Sequence, residues 1–119
     1  SSITEGLRLG CLAFLEACSS PEIRQIALID GPSVLGWAVW RKIDAENGFG
    51  ALCDGLKEAK RQKTLRAETD PVALAYLLSG AMNEAALALS DPQLSKSQRG
   101  KLRRAMEAAL LSMLAAFEA

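Results

Sequence analysis

The sequence predicts an all-α fold, a helical bundle of about five helices, and three observations carry that prediction. Half of the 119 residues are hydrophobic but only 5% are aromatic, and Ala and Leu dominate, a composition that packs helix on helix. Apolar residues recur every three or four positions through most of the chain. Pro, Gly and Ser-Asp clusters divide these runs at the spacing of helices rather than strands. At this length the chain is one domain, 1–119, able to bury a core of its own.

The first helix starts near Thr4 and Glu5, and Leu7, Cys11, Phe14, Leu15 and Cys18 mark its buried face. Ser19-Ser20-Pro21-Glu22 is a stop and restart, with Ser20 as cap and Pro21 first in a short second helix that ends at Gly31-Pro32. From Ser33 a longer helical run carries Trp37, Trp40 and Ile43 on one face. Beyond Gly48 and Gly50 the stripe moves to Leu52, Leu56 and Ala59, so a kink or break is expected near Phe49. The basic run Lys57, Lys60, Arg61, Lys63 and Arg66 complements the helix dipole at a C-terminal end.

The stretch Pro71 to Ser90 is the predicted central helix. Asp70 caps it, Pro71 suits its first position, and Asp91-Pro92 closes it. Leu74, Leu78, Ala81, Met82, Ala85 and Leu89 form a broad apolar arc, with Ala75, Leu77, Ala86 and Ala88 at its edges, so packing on most sides is expected. The narrow remaining face holds Tyr76, Ser79, Gly80, Asn83 and Glu84 without one Lys or Arg. A short polar stripe of this kind fits a wetted cavity or a helix interface better than open water. After a polar loop, a last helix begins near Ser97 with the stripe Leu102, Met106, Ala109, Leu110, Met113 and Phe117, and Arg99 and Arg103 near its start. These last two helices are expected to form an antiparallel hairpin.

Several functions are disfavoured by what is missing. Histidine is absent, which removes the commonest general base and a common metal ligand, and no nucleotide-binding or nucleophile motif occurs. No enzyme activity, cofactor or metal is therefore expected. Fourteen cations balance fourteen anions, so the chain by itself has no electrostatic footprint for nucleic acid. The three cysteines, Cys11, Cys18 and Cys53, form no CxxC pair, so no disulfide framework but a cytoplasmic protein is expected, and Cys11 and Cys18, seven apart on one face, read as small buried hydrophobes. Asn83-Glu84 and Glu107 interrupt the most apolar runs, so no membrane span is expected.

The segment IALIDGPSVLGWAVWRKIDAENGFG, with its LIDGPSVLGW and Trp37-x-x-Trp40-Arg41 patterns, and LLSGAMNEAALAL, with Gly80, Asn83 and Glu84, resemble the C-terminal region of tetracycline-repressor-like (TetR-family) transcriptional regulators. The resemblance runs from about Pro21 onward. It implies a domain that binds a small-molecule inducer and homodimerises through its last two helices, while DNA is bound only by an N-terminal helix-turn-helix domain absent from this sequence. It also implies a bearing on Trp37, Trp40, Asn83 and Glu84, without saying which touches ligand. In the expected pocket Tyr76, Ser79 and Asn83 line one edge, Trp37, Trp40, Phe49 and Leu56 form walls, and Leu12 or Leu15 closes it. The tryptophans serve either core packing or an aromatic wall, and Glu84 serves either a structural ion pair or a cationic ligand. An apolar or amphiphilic inducer is the expected ligand. The alternative is a helical protein-interaction module without a small ligand.

Overall fold

The structure, a computed structural model, describes residues 2–18, 20, 22 and 48–119, with the side chains of 2, 48 and 49 excepted. The described residues are all-helical: α1 (Ser2–Ala17), α2 (Gly48–Arg61), α3 (Pro71–Leu89) and α4 (Lys96–Phe117). Apart from Glu22, which is helical, the short helix expected after Ser20 lies outside them, as does the part of the long run that carries both tryptophans.

Helix α3 forms where its capping chemistry says it should. The Asp70 carboxylate accepts from the backbone N–H of Val72 at 2.8 Å and of Ala73 at 3.1 Å, and Pro71 occupies the first turn, where its missing N–H costs nothing. At the far end the Ser90 backbone N–H donates to the Ala86 carbonyl. Helix α4 starts one residue before Ser97, at Lys96, because Ser95 and Gln98 close a capping box. The Gln98 N–H donates to Ser95 Oγ at 3.0 Å, and the Ser95 N–H donates to Gln98 Oε1 at 2.8 Å. Helix α2 ends with the Thr64 N–H donating to the Ala59 carbonyl at 3.0 Å, which turns Lys63 into a positive φ of 62°.

Helices α1 and α3 each pack against the other three elements. Cys11, Phe14, Leu15 and Cys18 from α1 meet Leu52, Leu56 and Ala59 from α2 and Leu74, Ala75, Leu78, Met82, Ala86 and Leu89 from α3, and Leu110 and Leu114 of α4 close the cluster. The face expected on α1 is the buried one. On α3 the buried arc is narrower than the sequence arc: Leu77 is 72% exposed, and Ala81 is exposed too. The reason is that, among the described residues, α1, α2 and α4 cover one side of α3 and leave Leu77 and Ala81 on another.

Residues 117–119 are pinned to residues 64–66. Leu65 and Glu118 form an isolated antiparallel bridge, with the Arg66 N–H donating to the Phe117 carbonyl and the Ala119 N–H to the Thr64 carbonyl, both at 2.9 Å. The Arg8 guanidinium donates to the Glu118 carboxylate, which ties α1 to the same corner. By length and mean hydropathy, 1.5 over its best window, α3 does reach the range of a membrane-spanning helix, so Asn83 and Glu84 do not interrupt it by that measure. Its line of core contacts with α1 and α2 accounts for that hydropathy.

Candidate functional site

At about 100° per residue, Ser79, Tyr76 and Asn83 fall along one flank of α3, and Glu84 lies about 100° further round, toward the opposite flank. Burial follows the same division. Ser79 and Asn83 are half-buried, Tyr76 at the outer edge is 66% exposed, and Glu84 is exposed. The Asn83 Oδ1 atom is shut off from solvent and has no hydrogen-bond partner among the described residues. A buried amide oxygen without a donor is uncommon and destabilising, and a donor on a bound molecule would remove that cost.

The remaining expected pocket residues are distributed unevenly. Trp37 and Trp40 lie outside the described residues, and so does the side chain of Phe49. Leu56 is 1% exposed and belongs to the core, where it borders a void of only about 20 Å³ with Leu7, Leu74 and Phe117. Leu15 is fully buried and reaches the α3/α4 side of the core, and Leu12 is half-buried.

A larger hollow among the described residues lies between α3 and α4. It is an open groove of about 390 Å³, lined by Leu15, Ala81, Met82, Ala85, Ala88, Met106, Ala109, Leu110 and Met113, with Glu84 as its one ionisable residue. The last helix forms its far wall because the sequence stripe splits: Leu110 turns into the core together with Leu114, which the stripe did not include, while Ala109 and Met113 stay at the surface. Small side chains on both helices leave the groove unfilled.

Several charges elsewhere are held by the scaffold. Hydrogen bonding from Arg61 and Gln62 holds the Glu58 carboxyl down to about 2. Lys60 Nζ donates to the carbonyls of Ala67 and of Thr69, the latter at 2.8 Å, and Arg66 pairs with Glu68 at 2.8 Å. The basic run thus organises the α2–α3 connection as well as facing the helix end. Burial pushes the Cys11 thiol up to about 11 and the Cys18 thiol up to about 12, so neither is a nucleophile near neutrality. Among the described residues no three His, Cys, Asp or Glu side chains gather as a metal set.

Two features escaped sequence reasoning. One is the capping box, whose Ser-x-x-Gln signature was legible at Ser95 and Gln98. The other is Arg99, a cation in the first turn of a helix, where the dipole disfavours it. That unfavourable position was itself the signal that Arg99 is held by something specific.

A family model described as "Tetracyclin repressor-like, C-terminal domain" matches residues 4–114. No curated protein gives a significant match. No solved structure gives one either.

Proposed function

The chain belongs to the tetracyclin repressor-like C-terminal domain family, and from that membership we propose that it is the inducer-binding and dimerisation domain of a cytoplasmic transcriptional regulator rather than an enzyme. The observation that supports inducer binding is the Asn83 amide oxygen, buried and without a donor among the described residues, on the flank that also holds Ser79 and Tyr76. In this reading a mostly apolar or amphiphilic compound enters beside α3, gives a hydrogen bond to Asn83 and packs against Trp37, Trp40 and Phe49. The last two helices run antiparallel and join a second copy. A ligand that prefers one arrangement of the helices then changes the DNA affinity of an N-terminal domain outside this chain, with a coupling of about 1–3 kcal/mol.

The test is a thermal-shift screen of amphiphilic and planar compounds against the wild-type chain and an Asn83→Leu variant. A compound that raises the wild-type melting temperature and loses most of that effect in the variant supports the reading, because ligand binding to the folded state stabilises it by mass action. If no compound shifts the wild-type protein, the helical interaction module takes its place.

A further inference from the structure

We infer that the groove between α3 and α4 is a second small-molecule site, which takes a lipophilic organic cation with its charge on Glu84 and its apolar body among the methionines. The inference goes beyond the inducer reading, which uses the opposite flank of α3, and it does not rest on a second copy. All three methionines of the chain, Met82, Met106 and Met113, line this one groove. Met82, 1% exposed, stands at its floor with Leu15, and Met113, 43% exposed, at its mouth. Unbranched thioether chains follow the shape of a guest more readily than branched ones, and the alanines between them leave the room. At about 390 Å³ the groove falls within the roughly 300–1,000 Å³ that small-molecule sites occupy.

The sign of the guest follows from Glu84. It is the one ionisable residue of the groove, and among the described residues its carboxylate has no hydrogen-bond or ion-pair partner. A neutral apolar guest filling the groove would strip water from that carboxylate and return nothing for it. An anion would be repelled. A guest with a diffuse positive charge pairs with Glu84 in surroundings drier than open water, where opposite charges attract more strongly, while its apolar body covers the methionines and alanines. Asn83, Ser79 and Tyr76 do not line this groove, so the two faces of α3 differ in what they ask of a ligand. One holds an amide oxygen short of a donor, the other a carboxylate short of a cation.

The experiment is isothermal titration calorimetry with tetraphenylphosphonium and, as a neutral control, triphenylphosphine oxide. It is run on wild type, Glu84→Gln, Ala109→Phe and Asn83→Leu, with circular dichroism to verify helicity. Tetraphenylphosphonium is expected to bind wild type at least about tenfold more tightly than the neutral control, and Glu84→Gln to remove most of that preference. Ala109→Phe, which fills the groove from an exposed position of α4, is expected to weaken both compounds. Asn83→Leu is expected to bind tetraphenylphosphonium as wild type does, so this site and the inducer reading fail separately. No binding, or binding indifferent to Glu84→Gln, overturns the cation site. If the wild-type chain then sediments as a dimer, the groove belongs to the second copy. Binding lost in Asn83→Leu but kept in Glu84→Gln and Ala109→Phe also overturns it, and puts the cation on the Asn83 flank.

Discussion

Arg99 Nε donates to the Leu89 carbonyl oxygen at 2.8 Å, so the first turn of α4 holds the last turn of α3. Its Nη2 donates to the carbonyls of Asp91 at 3.0 Å and Leu94 at 3.1 Å. One buried guanidinium thereby satisfies a helix end and two loop carbonyls, using the fork of donors that only arginine has. Replacing it by Met keeps the apolar stem and removes all three bonds. Arg99→Met is expected to lower unfolding free energy by about 2–3 kcal/mol in urea titration, with Arg99→Lys falling between the two. An unchanged midpoint would show that water serves these carbonyls equally well.

This connection also marks how far the sequence could be read. Asp70-Pro71, Cys11, Phe14 and Leu15 were legible because caps and periodicity are local properties, and the structure places them as expected. What α3 faces is not local. Leu77 and Ala81 belong to the apolar arc by hydropathy, and only the arrangement of α1, α2 and α4 decides that they stay outside. The candidate site divides in the same way. Spacing alone puts Tyr76, Ser79 and Asn83 on one flank, but Glu84 joins the α4 groove through a pairing of helices that no period of three or four encodes.

Two glycines separate the helix propensity of a residue from its packing. A Cβ on Gly10, exposed on α1, would meet nothing within 4 Å, so Gly10→Ala is expected to stabilise the protein by about 0.5–1 kcal/mol. On Gly55 of α2 a Cβ would stand 3.2 Å from Leu7 Cδ2, at the contact of α2 with α1. There the same propensity gain is offset by the displacement of Leu7, and thermal denaturation should show Gly55→Ala at or below wild type. Equal gains at both sites would mean that Leu7 shifts freely.

The end of α2 has an acid-sensitive tie. Hydrogen bonding from Arg61, then from Gln62, keeps Glu58 ionised down to about 2, below its ordinary 4.5. The unfolded chain therefore takes up this proton before the folded one does. The contribution is complete above about pH 4.5 and is lost as pH falls through about 2. The Glu58 side chain is 34% exposed and its partner Arg61 71%, so water screens the pair and the effect is small. Comparing wild type with Glu58→Gln by helicity from pH 6 to about 2 should show curves that differ above about pH 4.5 and converge toward about pH 2. Curves separated by the same amount at every pH would exclude an ionic tie.

The cysteines offer a probe of the core from the opposite end of the pH scale. Cys11 and Cys18 are fully enclosed, and the Cys18 thiol donates to the Phe14 carbonyl at 3.2 Å, while Cys53 on α2 is half-buried. With burial pushing the first two thiols up to about 11 and about 12, alkylation by iodoacetamide near pH 8 should label Cys53 first. Cys11 and Cys18 should follow only at the rate of opening, as read by mass spectrometry of the digested protein. The same burial has a thermodynamic consequence. Above the ordinary thiol value of 9.0 the unfolded chain loses protons that the folded chain keeps, so stability falls as pH rises from about 9 through about 12. In a Cys11→Ala/Cys18→Ala variant the protein is weakened at neutral pH by the lost core volume, but that alkaline decline should be shallower than in wild type. If Cys11 or Cys18 were labelled as fast as Cys53, α1 would not be the sealed wall of the core that Phe14 and Leu15 make it.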